Sequence, residues 1–417
     1  MSTSTSNDVV VIGGGAAGML AAGTAAAKGC SVLLLEKNDR LGKKLYITGK
    51  GRCNVTNDCA PEDFFKNVPR NPRFLYSSIF GFPPEDVMRF FEQRGCALKT
   101  ERGSRVFPQS DRSASVIDAL RSYLREGGVR VMQAKAERIE TENEAVTGVQ
   151  TDKGFFAAKS VILASGGCSY PLTGSTGDGY RMAQALGHSI VAPEGSLVPL
   201  VERGHDCAQM QGLSLHNISI KLLDSKGKTT YSEFGELLFT HFGLSGPVIL
   251  SASAHMKPNE QYTVSIDLKP ALDEQKLDAR LLRDFEENRN RNFENALSAL
   301  LPKSMIPAVV RRSGVDPECK VNSVTREQRR TLLSLLKDFT VQIACKAPVE
   351  EAIVTSGGVR VSEVDPKTMQ SKLVRGLYFA GEILDVDAYT GGFNLQIAWS
   401  TAHAAASAAA ERCREEA

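Results

Sequence analysis

Three features of the sequence predict an α/β protein whose parallel-sheet domain is split by an insertion. A strand, a glycine turn and a helix follow one another directly near the start. The middle of the chain alternates polar and apolar residues and then turns highly charged. Glycine turns return only in residues 346–417. At 417 residues the chain is also too long for one ordinary core.

The first element is V-V-V-I-G-G-G-A-A-G, residues 9–18. Its apolar part makes a buried strand, and Gly13, Gly15 and Gly18 give the spacing G-x-G-x-x-G, with Gly14, Ala16 and Ala17 between them. Gly13 permits a tight turn, Gly15 lets a pyrophosphate approach the backbone, and Gly18 lets the next helix pack closely on the sheet. That helix, over 16–28, is almost all Ala and Gly where it packs, and its first N–H groups face the phosphates. Residues 31–35 form a second apolar strand that ends on Glu36. This carboxylate stands close to where a dinucleotide fold places the acid that accepts the adenosine ribose hydroxyls. Alone, the glycine triplet is a weak signal; with strand, turn, helix, strand and acid in order it predicts a Rossmann-like domain.

Residues 37–57, K-N-D-R-L-G-K-K-L-Y-I-T-G-K-G-R-C-N-V-T-N, are rich in glycine and cations. Such a loop brings amides and positive charge to phosphates or to an anionic substrate; the plainer alternative is a solvated basic loop. Residues 74–95 read as helical, with Pro83 and Pro84 opening a second helix. Residues 113–126 show one apolar face in Val116, Ile117, Leu120 and Leu124, and lead into a short strand over 129–133. Ala134 and Ala136 end that strand, where backbone contacts to an adenine ring are often made. A hairpin is expected over 145–158 around D-K-G, followed by a buried strand over 160–167 that ends on two glycines. The loop S-Y-P-L-T-G-S-T-G-D-G-Y then enters a helix from about Gly179. Asp178 caps that helix or contacts a cofactor.

The pattern changes near residue 190. Ile218, Ile220 and Leu222 alternate with polar residues, as do Tyr262, Val264, Ile266 and Leu268, which predicts antiparallel strands covered on one face. Residues 272–338 read as charged helices. The expected division is 1–189 and 346–417 as one discontinuous domain, with an inserted β-barrel-like domain over 190–270 and a helical subdomain over 271–345. Insertions of this kind commonly supply a lid over a substrate. After it come T-S-G-G-V, a short strand over 376–380 ending in Gly381 and Glu382, and Gly391 and Gly392 at the start of an Ala-rich last helix, a second anion-facing helix terminus.

Composition narrows the classes. Hydrophobic content of 42%, charge content of 24% and a net charge of +2 describe a globular protein without an electrostatic case for a nucleic-acid partner. No apolar run reaches the length of a spanning helix and the first residues lack signal-peptide character, so no membrane is expected and the location expected is cytoplasmic. Nine scattered cysteines fit reduced thiols, and without C-x-x-C or a histidine cluster no metal site is expected. Oligomeric state leaves no mark on the sequence.

Glycine turns at both ends suit FAD, whose ribityl and ring portion crosses the sheet to meet a late strand. The runs G-G-G-A-A-G, L-L-E-K, G-K-K-L-Y-I-T-G-K-G-R-C-N-V-T-N, A-S-G-G-C-S-Y-P-L-T-G-S-T-G-D-G-Y, T-S-G-G-V and F-A-G-E-I-L-D-V-D-A-Y-T-G-G-F-N-L-Q resemble the two-dinucleotide-binding flavoproteins. Within them the chain is most similar to the YhiN/BaiN-like (aminoacetone oxidase-like) FAD-binding family, over nearly its whole length. The resemblance implies that Gly13, Gly14, Gly15, Ala16, Ala17 and Gly18 hold the pyrophosphate and Glu36 the ribose, with Lys37 beside it. Lys44 and Leu45 fill the family's basic-Leu position, and Gly51, Arg52, Cys53 and Asn54 lie along the flavin. Ala134 meets adenine, and Ser165 and Gly166 line the cofactor. Gly381 and Glu382 stand where many flavoproteins have Gly-Asp for the ribityl chain. Gly391, Gly392, Phe393, Asn394, Leu395 and Gln396 cap the pyrimidine end of the ring. The resemblance also implies the inserted barrel and helical domain.

The function expected is that of an FAD-dependent oxidoreductase acting on an unidentified small molecule. No second strand, G-x-G-x-x-G and helix set follows residue 60, so any NAD(P)H acts as a transient reductant without a domain of its own. The alternative is a flavin-dependent RNA-modifying enzyme or a flavin-bound interaction protein. Amides at the start of the last helix are expected to stabilise negative charge on the reduced flavin. No catalytic residue is assigned. Tyr170, Thr173, His241 and Tyr389 are candidate proton shuttles. Cys53 and Cys59 resemble the redox pair of flavin disulfide reductases with one residue too many between them, and Cys53 as a packed residue beside the flavin is the preferred reading.

Overall fold

The computed structural model describes residues 7–257 and 259–415. It divides into two compact units, Met1–Ser196 with Val349–Ala417, and Leu197–Pro348. Each has its own hydrophobic core.

In the first unit five strands run parallel, in the spatial order Arg130–Gln133, Val32–Glu36, Asn7–Ile12, Gly154–Leu163, Leu377–Phe379. Apart from the edge strand Arg130–Gln133, where Val131 is exposed, their Val, Leu and Ile side chains are shielded on both faces, as parallel strands require. The hairpin and the buried strand expected over 145–167 share one ten-residue strand, Gly154–Leu163. Its first half pairs antiparallel with Ala145–Thr151, which in turn pairs with Ala136–Glu142. Its second half enters the parallel sheet, with Val161, Ile162 and Leu163 fully buried.

Helix Ala16–Ala27 is built of small residues, so helices Ser113–Glu126 and Phe393–Glu415 approach it closely. Pairing of Leu377–Phe379 and Asn7–Ile12 with the same strand brings the two ends of the chain together. Trp399, fully buried in the last helix, donates from Nε1 to Val55 O at 2.9 Å and ties that helix to the glycine-rich loop. Helices Tyr76–Gly81 and Pro84–Glu92 divide at the two prolines, since proline fits a first turn but breaks an interior.

The second unit contains a closed six-stranded barrel, Leu200–Glu202, Gly243–Ser245, Thr229–Phe239, Ser214–Asp224, Tyr262–Asp267 and Phe339–Lys346 in spatial order. Ile218, Ile220, Leu222, Val264 and Ile266 point to its core, in keeping with the period-two pattern. Closure falls to Phe339–Lys346, which lies between Tyr262–Asp267 and Leu200–Glu202. Helices Glu274–Glu287, Ile306–Ser313 and Arg326–Lys337 therefore interrupt the barrel rather than follow it, and they share its core. Strand Ile190–Ser196 belongs to the first unit, where it pairs with Val354–Val359, so the chain leaves that unit after Ser196 rather than at 190. Among the described residues no helix is long and apolar enough to cross a membrane.

Candidate functional site

Because the five strands are parallel, their carboxyl ends share one edge, the edge where open α/β sheets bind ligands. The segments leaving that edge are, in spatial order, Ala134, Glu36, the 13–18 turn, Ser165 with Gly166, and Gly381 with Glu382. Backbone bonds lock neighbours together: Ala134 N–H to Glu36 O at 2.9 Å, Gly13 N–H to Leu35 O at 2.8 Å, Ala164 N–H to Ile12 O at 2.9 Å and Ala380 N–H to Leu163 O at 3.1 Å.

Glu36 does two things at once. Its Oε2 accepts the Gly14 N–H at 2.7 Å, and its Oε1 accepts the backbone and side-chain N–H of Asn38 at 2.8 and 2.7 Å. These bonds fix the carboxylate at the glycine turn. Asn38 also donates to Thr173 O at 3.1 Å, joining this acid to the loop after the fourth strand.

The three candidate cations of the basic loop are all neutralised. Lys37 pairs with Asp178 at 2.6 Å, Lys44 with Glu382 at 2.8 Å, and Arg52 with Glu101 at 2.5 Å and Asp111 at 2.6 Å. Asp178 is the first residue of helix Asp178–Ala185 and makes no side-chain cap bond; Gly177 occupies the cap position. Burial pushes the Asp178 carboxyl up, but the Lys37 and Thr176 bonds outweigh it and hold it below the usual range.

Glu382 faces a dense donor set: Lys44, the Ser169 hydroxyl at 3.0 Å and the Thr355 N–H at 2.8 Å. Burial raises its pKa, yet the Lys44 charge and these bonds lower it further, so the carboxylate stays ionised. Ser169, Thr355 and Asn38 are the polar residues that organise this edge, and no spacing in the sequence marks them. Only their presence in glycine-rich loops hinted at a role.

At the far end, the last helix begins at Phe393. Gly391 and Gly392 both have positive φ, and a Cβ on Gly392 would lie 2.3 Å from Thr56 O. The side chains of Asn394 and Gln396 are committed to the protein. Asn394 donates to Ala388 O at 2.6 Å and accepts its N–H at 2.9 Å; Gln396, fully buried, donates to Phe82 O at 2.9 Å and accepts from Thr56 at 2.5 Å. Phe393 packs edge-on against Phe64 at 5.4 Å, and Leu395 packs partly buried against the core. What this terminus presents to a ligand is therefore its amides. Leu45 is buried below, at the start of the turn Leu45–Gly51.

Cys53 is fully buried with φ of 62°, and burial pushes its thiol up to about 12. Cys59 is pushed up to about 11, chiefly by burial and then by Asp63 and Asp58. The thiol of Cys53 neighbours Thr48 and Cys96 instead of Cys59, so the geometry gives no support to a dithiol here. Thr173 turns its hydroxyl into its own loop, onto Tyr170 O at 2.7 Å, while Tyr170 lies under Lys44 with 6.0 Å from Nζ to the ring centre. His241 belongs to the other unit.

Three observations fit an extended dinucleotide. A Cβ on Gly15 would meet nothing within 4 Å, although the turn around it is tightly packed. Helix Ala16–Ala27 starts at Gly15 without a side-chain cap, leaving its first amides for a ligand. Buried Asn54 Oδ1 and Ser165 Oγ have no hydrogen-bond partner among the described residues, a condition that costs about 1–3 kcal/mol per group unless a ligand relieves it.

Fold and edge together define an FAD-dependent oxidoreductase of the Rossmann type. The HI0933-like protein Rossmann domain model matches residues 7–408, and the chain belongs to that family of FAD-binding flavoproteins. It is 31% identical to the 3-dehydro-bile acid delta(4,6)-reductase of Clostridium scindens over 403 residues, 94% of this chain and 97% of that protein. It is 30% identical to the ribosomal RNA dihydrouridine synthase of Escherichia coli K12 over 402 residues, 96% and 97% of the two chains. Among solved structures, the 3-ketosteroid-delta4-(5alpha)-dehydrogenase of Rhodococcus jostii RHA1 shares the fold, with a TM-score of 0.52, 15% identity and 97% of each chain covered. The relatives that modify ribosomal RNA leave the exclusion of nucleic acid drawn from net charge without support.

Proposed function

We propose that this protein uses FAD to reduce a carbon–carbon double bond conjugated to a carbonyl group, in a small unsaturated molecule. The carrying observation is the edge order Ala134, Glu36, Gly13–Gly18, Ser165–Gly166, Gly381–Glu382, which follows the parts of an extended FAD from adenine through ribose and pyrophosphate to the ribityl chain. The bond type rests on the relatives: a 3-oxo bile acid unsaturated at positions 4 and 6, and the uracil ring, share a C=C activated by an adjacent C=O.

Bound FAD supplies the two-electron chemistry; the chain supplies placement and electrostatics. Glu36 keeps lone pairs for the ribose hydroxyls while holding the glycine turn. The amides of Ala16–Ala27 meet the pyrophosphate, and Asn54 and Ser165 satisfy their orphaned oxygens on the cofactor. The amides at the start of Phe393–Glu415 stabilise negative charge at the pyrimidine end of the ring. NAD(P)H is proposed as a transient donor, since the sequence holds one dinucleotide fingerprint and FAD fills it.

A uridine in RNA is the second reading, favoured by the full-length similarity to the dihydrouridine synthases. One experiment separates the two. The holoenzyme is reduced under anaerobic conditions, mixed with a 3-oxo-Δ4 steroid or with unmodified ribosomal RNA, and followed by return of the yellow absorbance and by a two-hydrogen mass gain in the product. Reoxidation by the steroid supports the small-molecule reading, reoxidation by RNA alone replaces it with the second, and flavin that stays reduced with both overturns the proposal.

A further inference from the structure

Cys30 and Cys413 stand near opposite ends of the sequence and side by side in the first unit. Cys30 lies in the turn between helix Ala16–Ala27 and strand Val32–Glu36; Cys413 lies in the final turn of Phe393–Glu415. The chain around them is tied together by three contacts. Arg414 donates to Lys28 O at 2.6 Å, Ser31 N–H donates to Asp8 Oδ2 at 2.9 Å, and Cys413 Sγ donates to Asp8 O at 3.5 Å. These contacts set the Cys413 thiol against the strand pair that begins beside Cys30, so the two cysteines are close neighbours. Cys413 is 5% exposed while Cys30 is half-buried, which keeps the pair within reach of small solutes.

We propose that Cys30 and Cys413 form a reversible redox-modification site, in which a peroxide converts the two thiols to a disulfide that staples the last helix to the start of the second strand. The steps balance without a cofactor. The Cys413 thiolate attacks one peroxide oxygen, forming an S–O bond and breaking the O–O bond, and hydroxide leaves. The Cys30 sulfur then displaces hydroxide from that sulfenic acid, forming the S–S bond, and its proton leaves with the hydroxide as water. Two thiols are oxidised by two electrons in all, and one peroxide is reduced to water.

The surroundings select these two thiols. The neighbouring Cys30 thiol draws Cys413 down to about 7 against the opposing effect of burial, with Ser160 Oγ assisting from 3.9 Å. Asp8 on the first strand raises it slightly and Lys159 on the long strand lowers it. The nearness of Cys413, then burial, pushes Cys30 up, so the attacking thiolate sits on Cys413 and the resolving proton on Cys30. By contrast, burial pushes Cys53 up to about 12 and Cys96 up to about 11, which keeps both protonated.

The test treats the holoenzyme with hydrogen peroxide, alkylates the remaining thiols and maps peptides without reduction. A linked Cys30–Cys413 peptide is expected, formed about tenfold faster at pH 8 than at pH 6 as the thiolate fraction rises, and released by dithiothreitol. In Cys30→Ser the resolving thiol is missing, so a dimedone reagent should trap a sulfenic acid at Cys413. Alkylation of both Cys30 and Cys413 at a peroxide dose that oxidises the exposed Cys345 overturns the proposal. The wild-type peptide map decides the matter even if the variant does not fold.

Discussion

A methyl group on Gly18 would sit 1.7 Å from the Gly13 carbonyl oxygen, whereas one on Gly15 would meet nothing within 4 Å. The two glycines of one motif are therefore separable. Gly18→Ala should destabilise the fold by about 1–3 kcal/mol or more through overpacking, seen as a lower Tm with and without flavin. Gly15→Ala should leave the Tm of the flavin-free protein unchanged and still reduce flavin content severalfold, because the new methyl occupies the approach of the pyrophosphate; a variant with full flavin content would refute that role. Glu382 gives a pH signature. Its carboxyl is held below the usual 4.5 in the folded state, so the stability it contributes is complete above about pH 4.5 and is lost as pH falls toward the depressed folded value. The wild-type Tm should thus drop more steeply than that of Glu382→Gln between about pH 5 and about pH 3. At neutral pH the same variant should cost about 1–3 kcal/mol, since Lys44, Ser169 and Thr355 lose a charged acceptor. The family resemblance pointed to Glu382 but not to the partners that keep it ionised.

At the scale of an element, the last helix carries the strongest expectation. Its first side chains are spent on the protein, Asn394 on the Ala388 backbone and Gln396 on Phe82 and Thr56, which leaves amides as the functional groups of its N-terminus. Phe393→Pro removes one such amide at a helix position where proline is tolerated. It should make the bound flavin harder to reduce by roughly 10–20 mV, the equivalent of about 0.5–1 kcal/mol for two electrons. Because the substitution also removes the ring that packs on Phe64, Phe393→Leu serves as control and should leave the potential in place. A potential equally shifted in both variants would assign the effect to packing. The helix itself was legible in its Ala-rich composition, but which of its groups remain available was not, since that depends on Phe82 and Thr56, more than 300 residues earlier in the chain.

At the scale of the molecule, the insertion leaves and re-enters the first unit beside one antiparallel pair, in which Ser196 lies opposite Val354. The two crossing points are near each other, and each unit has a separate core. A chain in which a short glycine-serine linker joins Ser196 directly to Val349 should therefore fold and take up FAD. Flavin fluorescence titration and calorimetry check this, and a shortened chain that folds without binding flavin would show that residues 197–348 are needed for cofactor uptake.

The sequence by itself determined the local units of this protein: the strand–turn–helix with its three glycines, the acid closing the second strand, the period-two strands of the insertion, and helix starts set by proline. Each is written in residues that are neighbours, so propensity and spacing suffice. Tertiary structure decided what depends on distant pairing. Phe339–Lys346 closes a barrel whose other strands precede three helices, Lys37 and Lys44 meet Asp178 and Glu382 far along the chain, and Cys413 comes to lie beside the turn that holds Cys30. Within the first unit such side chains meet because the parallel sheet brings Asn7–Ile12 and Leu377–Phe379 against the same strand, and no local pattern encodes that meeting.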